Sequence, residues 1–144
     1  MSEDVVATNN NVCERKTMTS WPDSFPEGCP PGDAVEAVGQ MYRLVDSSPP
    51  SSSDFASHAE QLAAGTIKKR RWADDCAAAG VSVYSDVTAV ETVRLSAGPL
   101  RKKMVAIGDL SGSGVMKQTG ATPSHHTWWR PANDAAWTTF AVSA

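Results

Sequence analysis

The sequence predicts an α+β fold: a mainly antiparallel sheet with two or three short helices. Three observations carry that expectation. The segments read strand, helix, strand, helix and then several short strands in succession, an order that suits an antiparallel sheet with segregated helices better than a doubly wound parallel sheet. Only two stretches, after Ser51 and after Asp86, join a helix-start residue to an apolar period of about 3.6 residues. A chain of 144 residues with 41% apolar and 20% charged side chains has the size and composition of one packed domain.

Taken in order, residues 1–19 are polar, rich in Asn, Ser and Thr and without periodicity, so a flexible tail is expected ahead of a single globular domain over 20–144. Residues 20–36 form a Pro-rich arm. Pro22, Pro26, Pro30 and Pro31 forbid regular structure there, while Trp21 and Phe25 supply apolar anchors to lay it on the core. Residues 38–45 alternate as a strand, Met41, Arg43 and Val45 on one face and Tyr42 and Leu44 on the other. A Ser/Pro loop, 47–53, follows. Ser51 and Asp54 then open a predicted helix with Phe55, Ala59 and Leu62 on one side, ending at Gly65.

Residues 72–79 read as a helical turn or two stopped at Gly80, and Val81-Ser82-Val83-Tyr84 as a buried strand by its β-branched content. Asp86 caps the second predicted helix, with Ala89, Val90, Val93 and Ala97 inward and Gly98-Pro99 as its stop. A strand over 104–107, a turn at 111–114 and a strand over 115–118 suggest an antiparallel ribbon. Residues 120–126 read as loop, 127–130 as a short strand and 137–142 as a last strand.

Charge is uneven. Residues 1–66 carry ten acids and three bases, whereas 67–144 carry six acids and ten bases. Two clusters hold most of the later bases: Lys68, Lys69, Arg70 and Arg71, then Arg101, Lys102 and Lys103. Joined in space they would offer a phosphate or nucleic-acid surface; apart, they are solvated chain. No stretch approaches the roughly eighteen apolar residues of a membrane span, and the acidic start Met1-Ser2-Glu3-Asp4 is unlike a secretory signal, so a cytoplasmic protein is expected. Cys13, Cys29 and Cys76 are odd in number, widely spaced and without a Cys-x-x-Cys pair, which reads as free thiols in a reducing compartment.

The densest functional stretch is Ser124-His125-His126-Thr127-Trp128-Trp129. On a strand, neighbours face opposite ways, so one histidine and one tryptophan are expected to face the core and the other pair to look outward. An imidazole beside an indole suits proton transfer near neutral pH or stacking on a base or sugar. Other motifs fall short. Adjacent histidines rarely aim at one ion, and His58 has no helical partner, so no metal site is read. His125-His126-Thr127 is one His-x-Thr phosphoesterase unit without its second copy, and the glycine-rich run after Gly108 lacks a Gly-Lys-Ser/Thr ending.

Tyr42-Arg43 on an early strand, Ser82 on a later one and the alanine-bearing helix begun by Asp86 resemble the layout of ADP-ribosyltransferase-like folds. The resemblance covers residues 40–130 at most. It implies that Arg43 contacts a phosphate, that Ser82 and Tyr84 line the pocket, and that the 125–129 stretch lies near the late catalytic strand. That strand lacks the family's Glu-x-Glu or Gln-x-Glu. The chain also resembles small bacterial proteins that end in His-His-Thr-Trp-Trp, a likeness that implies no activity.

The expectation drawn is a pocket for a nucleotide-like or otherwise phosphorylated ligand, with His125, His126 and Arg43 as catalytic candidates and Tyr42, Ser82, Tyr84, Thr127 and Trp128 as its walls. No cofactor is indicated. The rival is a non-enzymatic binding or inhibitor protein that meets a protein or nucleic acid through its acidic N-terminal arm or its basic clusters.

Overall fold

Alternation along QMYRLV sets the two faces of the sheet. In the computed structural model, which describes residues 20–67 and 74–142, this run is a strand, β2 (Gln40–Val45). Met41 and Val45 are buried on one face and Tyr42 and Leu44 turn to the other. A two-residue strand, β1 (Val35–Glu36), precedes it. The other strands are β3 (Val81–Tyr84), β4 (Met104–Asp109), β5 (Val115–Gln118), β6 (His125–Trp129) and β7 (Ala141–Val142). They form one seven-stranded sheet in the order β1-β5-β6-β3-β2-β4-β7, antiparallel at every pairing. Four short helices complete the described residues: α1 (His58–Ala64), α2 (Asp75–Ala78), α3 (Val87–Leu95) and α4 (Gly98–Arg101). The expected α+β class holds, with one helix more than the upper expectation.

One sheet face carries the core. Met41, Val45, Val81, Val83, Ala106 and Trp128 pack there with Phe55, Leu110, Ala136 and Phe140. Two single 3-10 turns, Ser52–Phe55 and Ala136–Thr139, bring the covering aromatics; Phe140 meets Phe55 edge to face at 5.0 Å and stacks on Trp128 at 6.2 Å. The opposite face bears Tyr42, Leu44, Ser82 and Tyr84, against which α3 lies.

Several local expectations are corrected. The helix foreseen from Ser51 splits in two: Asp54 accepts from Ser51 and so caps only one 3-10 turn, and α1 begins afresh at Ser57. There the Ser57 hydroxyl accepts from Glu60 N–H while the Glu60 carboxylate accepts from Ser57 N–H, the reciprocal box that fixes a helix start. Gly65, at φ 78°, ends it as foreseen. Asp86 does cap α3, but that helix stops at Leu95, and Gly98-Pro99 opens α4 rather than closing α3; proline suits a first turn, where its missing N–H has no partner to lose. Residues 137–142 are not one strand but a 3-10 turn followed by β7, and β6 begins two residues earlier than the predicted 127.

The β4–β5 ribbon does not form. Leu110, fully buried, draws the chain into the core directly after β4, and the turn then bonds to the segment before β2: Leu110 N–H donates to Gly39 C=O at 3.1 Å, Gly112 N–H to Ala37 C=O at 2.7 Å and Ala37 N–H to Gly114 C=O at 3.0 Å. β5 is thereby carried to pair with β1 and β6. Gly114, at φ 79°, is required, because a Cβ there would collide with the Trp129 carbonyl.

The free-thiol expectation is overturned for two of the three cysteines: Cys29 and Cys76 form a disulfide across 47 positions. Wide spacing in sequence hid a meeting of the Pro-rich arm with α2. The arm is irregular, as foreseen; Trp21 stacks on Phe25 at 5.6 Å, and Pro22 and Phe25 close over Phe55, Val81 and Trp128. The expected tail 1–19, the cluster Lys68, Lys69, Arg70 and Arg71, Trp72 and Cys13 lie outside the described residues. No described helix is long and apolar enough to cross a membrane. Closing a loop of this length restricts the unfolded chain by about 4 kcal/mol, so Cys76→Ser should lower the unfolding free energy by up to that amount in a denaturant titration. Alkylation of the unreduced, denatured chain should leave Cys29 and Cys76 unmodified.

Candidate functional site

The ladder between β2 and β3 is short. Tyr42 pairs with Tyr84, and if the ladder ran on, Leu44 would stand opposite Ser82; no pairing is made there. The Arg43 side chain enters instead. Its Nη1–H donates to the Ser82 carbonyl at 2.7 Å, its Nε–H to the Asp54 carbonyl at 3.0 Å, and its guanidinium lies 5.4 Å from the Phe55 ring centroid. One side chain thus satisfies a carbonyl that a neighbouring strand would otherwise pair.

Where the strands part, a cavity of about 480 Å³ opens, lined by Arg43, Leu44, Ser82 and Tyr84 from the sheet, Lys103 before β4, and residues of all four helices. It falls within the roughly 300–1,000 Å³ of small-molecule sites. Burial, with the charge of Arg130 as the second cause, pushes the Arg43 guanidinium down to about 10, while Asp54 acts the other way; it remains a cation at neutral pH. Burial pushes the Tyr84 phenol above its ordinary value and Arg43 opposes it, so Tyr84 stays neutral there. Lys103 Nζ pairs with Asp46 at 2.9 Å.

Behind Ser82 stands β6. The register sets Ser82 opposite Thr127 and Tyr84 opposite His125, all on the cavity side of the sheet. His125 Nε2 lies 3.0 Å from Ser82 Oγ, and Nδ1 lies 2.9 Å from the Thr119 carbonyl and 3.1 Å from the Thr119 hydroxyl. A carbonyl only accepts, so Nδ1 carries the proton and Nε2 is left to accept from the Ser82 hydroxyl. Tyr84 packs edge-on against the imidazole at 5.1 Å, and Thr127 Oγ1 meets Thr119 Oγ1 at 2.7 Å.

The candidate residues therefore divide. Arg43, Ser82 and Tyr84 meet at the cavity, and His125 and Thr127 stand directly behind it. His126 and Trp128 do not join them. His126 is on the core side opposite Val83, its Nδ1 donating to the Ser124 carbonyl at 3.0 Å, and Trp128 is wholly buried, its Nε1–H donating to Ser113 C=O at 2.7 Å. The expectation of one outward tryptophan also fails. Trp129 is buried under α2, with its Nε1–H on the Cys76 carbonyl, because both faces of β6 are covered at that end. Gly80 permits this closeness, since a Cβ there would strike Thr127 and crowd Trp129. Tyr42 borders a different, more open concavity with Lys103 and Met104.

Of the second basic cluster, Arg101 is spent on the α3–α4 corner, where its Nε–H donates to Leu95 C=O and its own carbonyl accepts from Arg94, while Lys103 alone reaches the cavity. Among the described residues no group of three or more His, Cys, Asp or Glu side chains is placed to hold a metal ion. Sequence reasoning missed Thr119, whose carbonyl sets the histidine tautomer, because a backbone acceptor leaves no trace in residue type. It also missed the wall residues Val93, which read as ordinary helix interior, and Leu100, which fell beyond the expected helix stop at Gly98-Pro99. Searches of the chain against protein-family models, curated proteins and solved structures find no match.

Asp54 anchors the loop beside Arg43, its carboxylate accepting from Asp46 N–H at 2.7 Å, Ser47 Oγ–H at 2.7 Å and Ser51 N–H at 2.9 Å. Burial pushes this carboxyl up, but those donors more than reverse it and hold it below its ordinary value. Its contribution to stability is therefore fully present above pH of about 4 and is lost as pH falls through the lowered folded value. Asp54→Asn should cost about 1–3 kcal/mol at pH 7 and progressively less as the pH falls below about 4, as read by denaturant melts across pH.

Proposed function

We propose that the cavity between β2 and β3 binds a nucleotide-like, phosphorylated small molecule in an ADP-ribosyltransferase-like arrangement. One observation carries this: Arg43 from β2 and Ser82 and Tyr84 from β3, strands about 40 positions apart in sequence, line a single cavity of ligand size. Two cations border it, Arg43 and Lys103, and the N–H groups of Arg43 beyond those on Asp54 and Ser82 have no partner among the described residues. A planar guanidinium with free donors suits phosphate oxygens. Tyr84 supplies a neutral, half-buried ring and a hydroxyl, suited to ribose or a base.

β6 holds no acid where the resemblance would have one; His125 and Thr127 occupy the strand beside Ser82. Ligand binding is accordingly the function proposed here, without transfer through a carboxylate.

Titration calorimetry with ADP-ribose, AMP and inorganic phosphate tests it. ADP-ribose and AMP should bind with dissociation constants at or below the millimolar range, and Lys103→Ala, a partly exposed position, should weaken both by about tenfold, the scale of one charge-assisted hydrogen bond. Arg43→Lys should weaken them further, with the melting temperature checked because Arg43 also packs on Phe55. Absence of heat with every ligand at millimolar concentration, in a chain that melts cooperatively, would falsify the proposal.

A further inference from the structure

We propose that Ser82 is an activated nucleophile, with His125 as its general base, and that the cavity carries out acyl transfer from small carboxylic esters to water. This goes beyond ligand binding and does not depend on the ligand being a nucleotide. Its basis is the directed chain from Ser82 through His125 to Thr119. The Thr119 carbonyl fixes the proton on Nδ1 at 2.9 Å, which leaves the Nε2 lone pair 3.0 Å from Ser82 Oγ. A hydroxyl bonded to the free nitrogen of an imidazole, whose other nitrogen is held by an acceptor, is the nucleophile, base and orienting group of serine hydrolases, with a backbone carbonyl standing where those enzymes place a carboxylate.

The surroundings fit. Ser82 is exposed and lines the cavity, so a substrate can reach it, while His125 is half-buried, held by Thr119 through Nδ1 and packed against the Tyr84 ring at 5.1 Å. His126, its neighbour, points to the other side of the sheet and cannot share the role. Arg43 donates to the backbone carbonyl of Ser82 at 2.7 Å and lines the same cavity, so a cation holds the strand that carries the nucleophile.

In the step proposed, Ser82 Oγ attacks the ester carbonyl carbon as its proton passes to His125 Nε2, giving a tetrahedral oxyanion. Collapse breaks the bond to the alkoxide oxygen, which leaves as the alcohol with the proton from Nε2. Water then attacks the acyl-serine, gives a proton to Nε2, and the second collapse returns that proton to Ser82 Oγ and releases the carboxylic acid. No oxidant or reductant enters.

An alkyl fluorophosphonate tests the dyad without knowledge of the natural substrate, since Ser82 Oγ would form a bond to phosphorus as fluoride leaves. Intact-mass measurement followed by peptide mapping of the wild-type chain should find one adduct, on Ser82, and this arm needs no variant to fold. Ser82→Ala should abolish the adduct and His125→Gln should slow it by about 100-fold or more, whereas His126→Gln should label at the wild-type rate, all with melting temperatures compared. Hydrolysis of 4-nitrophenyl acetate should fall in the same order. No adduct on the wild type, an adduct mapped elsewhere, or His125→Gln labelling as fast as wild type overturns the proposal. A chain that labels at Ser82 yet shows no heat with ADP-ribose or AMP keeps the dyad and loses the nucleotide ligand; the reverse result loses the dyad alone.

Discussion

The arrangement rests on a guanidinium placed where a β-ladder stops. β2 and β3 pair at Tyr42 and Tyr84 and then separate, a break that ordinarily leaves strand carbonyls without donors. Arg43 supplies the missing donor to Ser82, and its aliphatic stem and planar head fill the gap against Phe55. Without that side chain the strands would have two outcomes, to close the ladder or to leave the exposed Ser82 carbonyl to water. The first removes the cavity and the second loses the link between β2 and β3 there. Cavity and sheet therefore depend on the same hydrogen bond.

Holding that cation has a cost that the neighbourhood spreads out. Phe55 has two guanidinium groups near it, Arg43 at 5.4 Å and Arg130 at 5.7 Å, and the two repel. Each is answered locally. Arg130 pairs with the buried Asp134 at 2.9 Å and donates to the Phe55 carbonyl, while Arg43 takes the Asp54 carbonyl and the field of its carboxylate. The carboxylate of Asp54 is occupied with the 46–51 loop rather than with Arg43. A bidentate Arg–Asp pair would have quenched the cation; here a backbone carbonyl does the holding and the charge is retained.

Sequence patterning disclosed the class and most elements because period and cap chemistry are local. The alternation in residues 40–45, the β-branched run at Val81 and the Asp86 cap each depend on neighbours in the chain, and each element formed. Local failures were confined to element bounds, as where the helix foreseen from Ser51 splits in two and Gly98-Pro99 opens a helix instead of closing one; the failures of topology were long-range. Nothing local says that Leu110 will be buried and carry β5 away from β4, or that Cys29 will reach Cys76 over 47 positions. The disulfide also removes, for those two residues, the thiol-based ground for a reducing compartment. At the site, residue type pointed to Arg43, Ser82, Tyr84 and His125, but it equally pointed to His126 and Trp128, since chemical aptitude does not report which side of a strand a residue takes.

The two adjacent histidines show what the fold adds to residue type. Each donates its Nδ1 proton to a carbonyl, His125 to Thr119 and His126 to Ser124, so by tautomer they are alike. Strand period alone then separates them: the free Nε2 of His125 meets a hydroxyl that borders a cavity, whereas His126 stands on the core side opposite Val83. Register is the deciding quantity, because a slip of one residue between β3 and β6 would bring His126 opposite Ser82's neighbour on the cavity side and send His125 toward the core. The buried Trp128 and Trp129 make such a slip costly, since each fills a space shaped for it on its own face of β6. Trp128, expected as a pocket wall, and its neighbour Trp129 are thus what keeps the correct histidine behind Ser82.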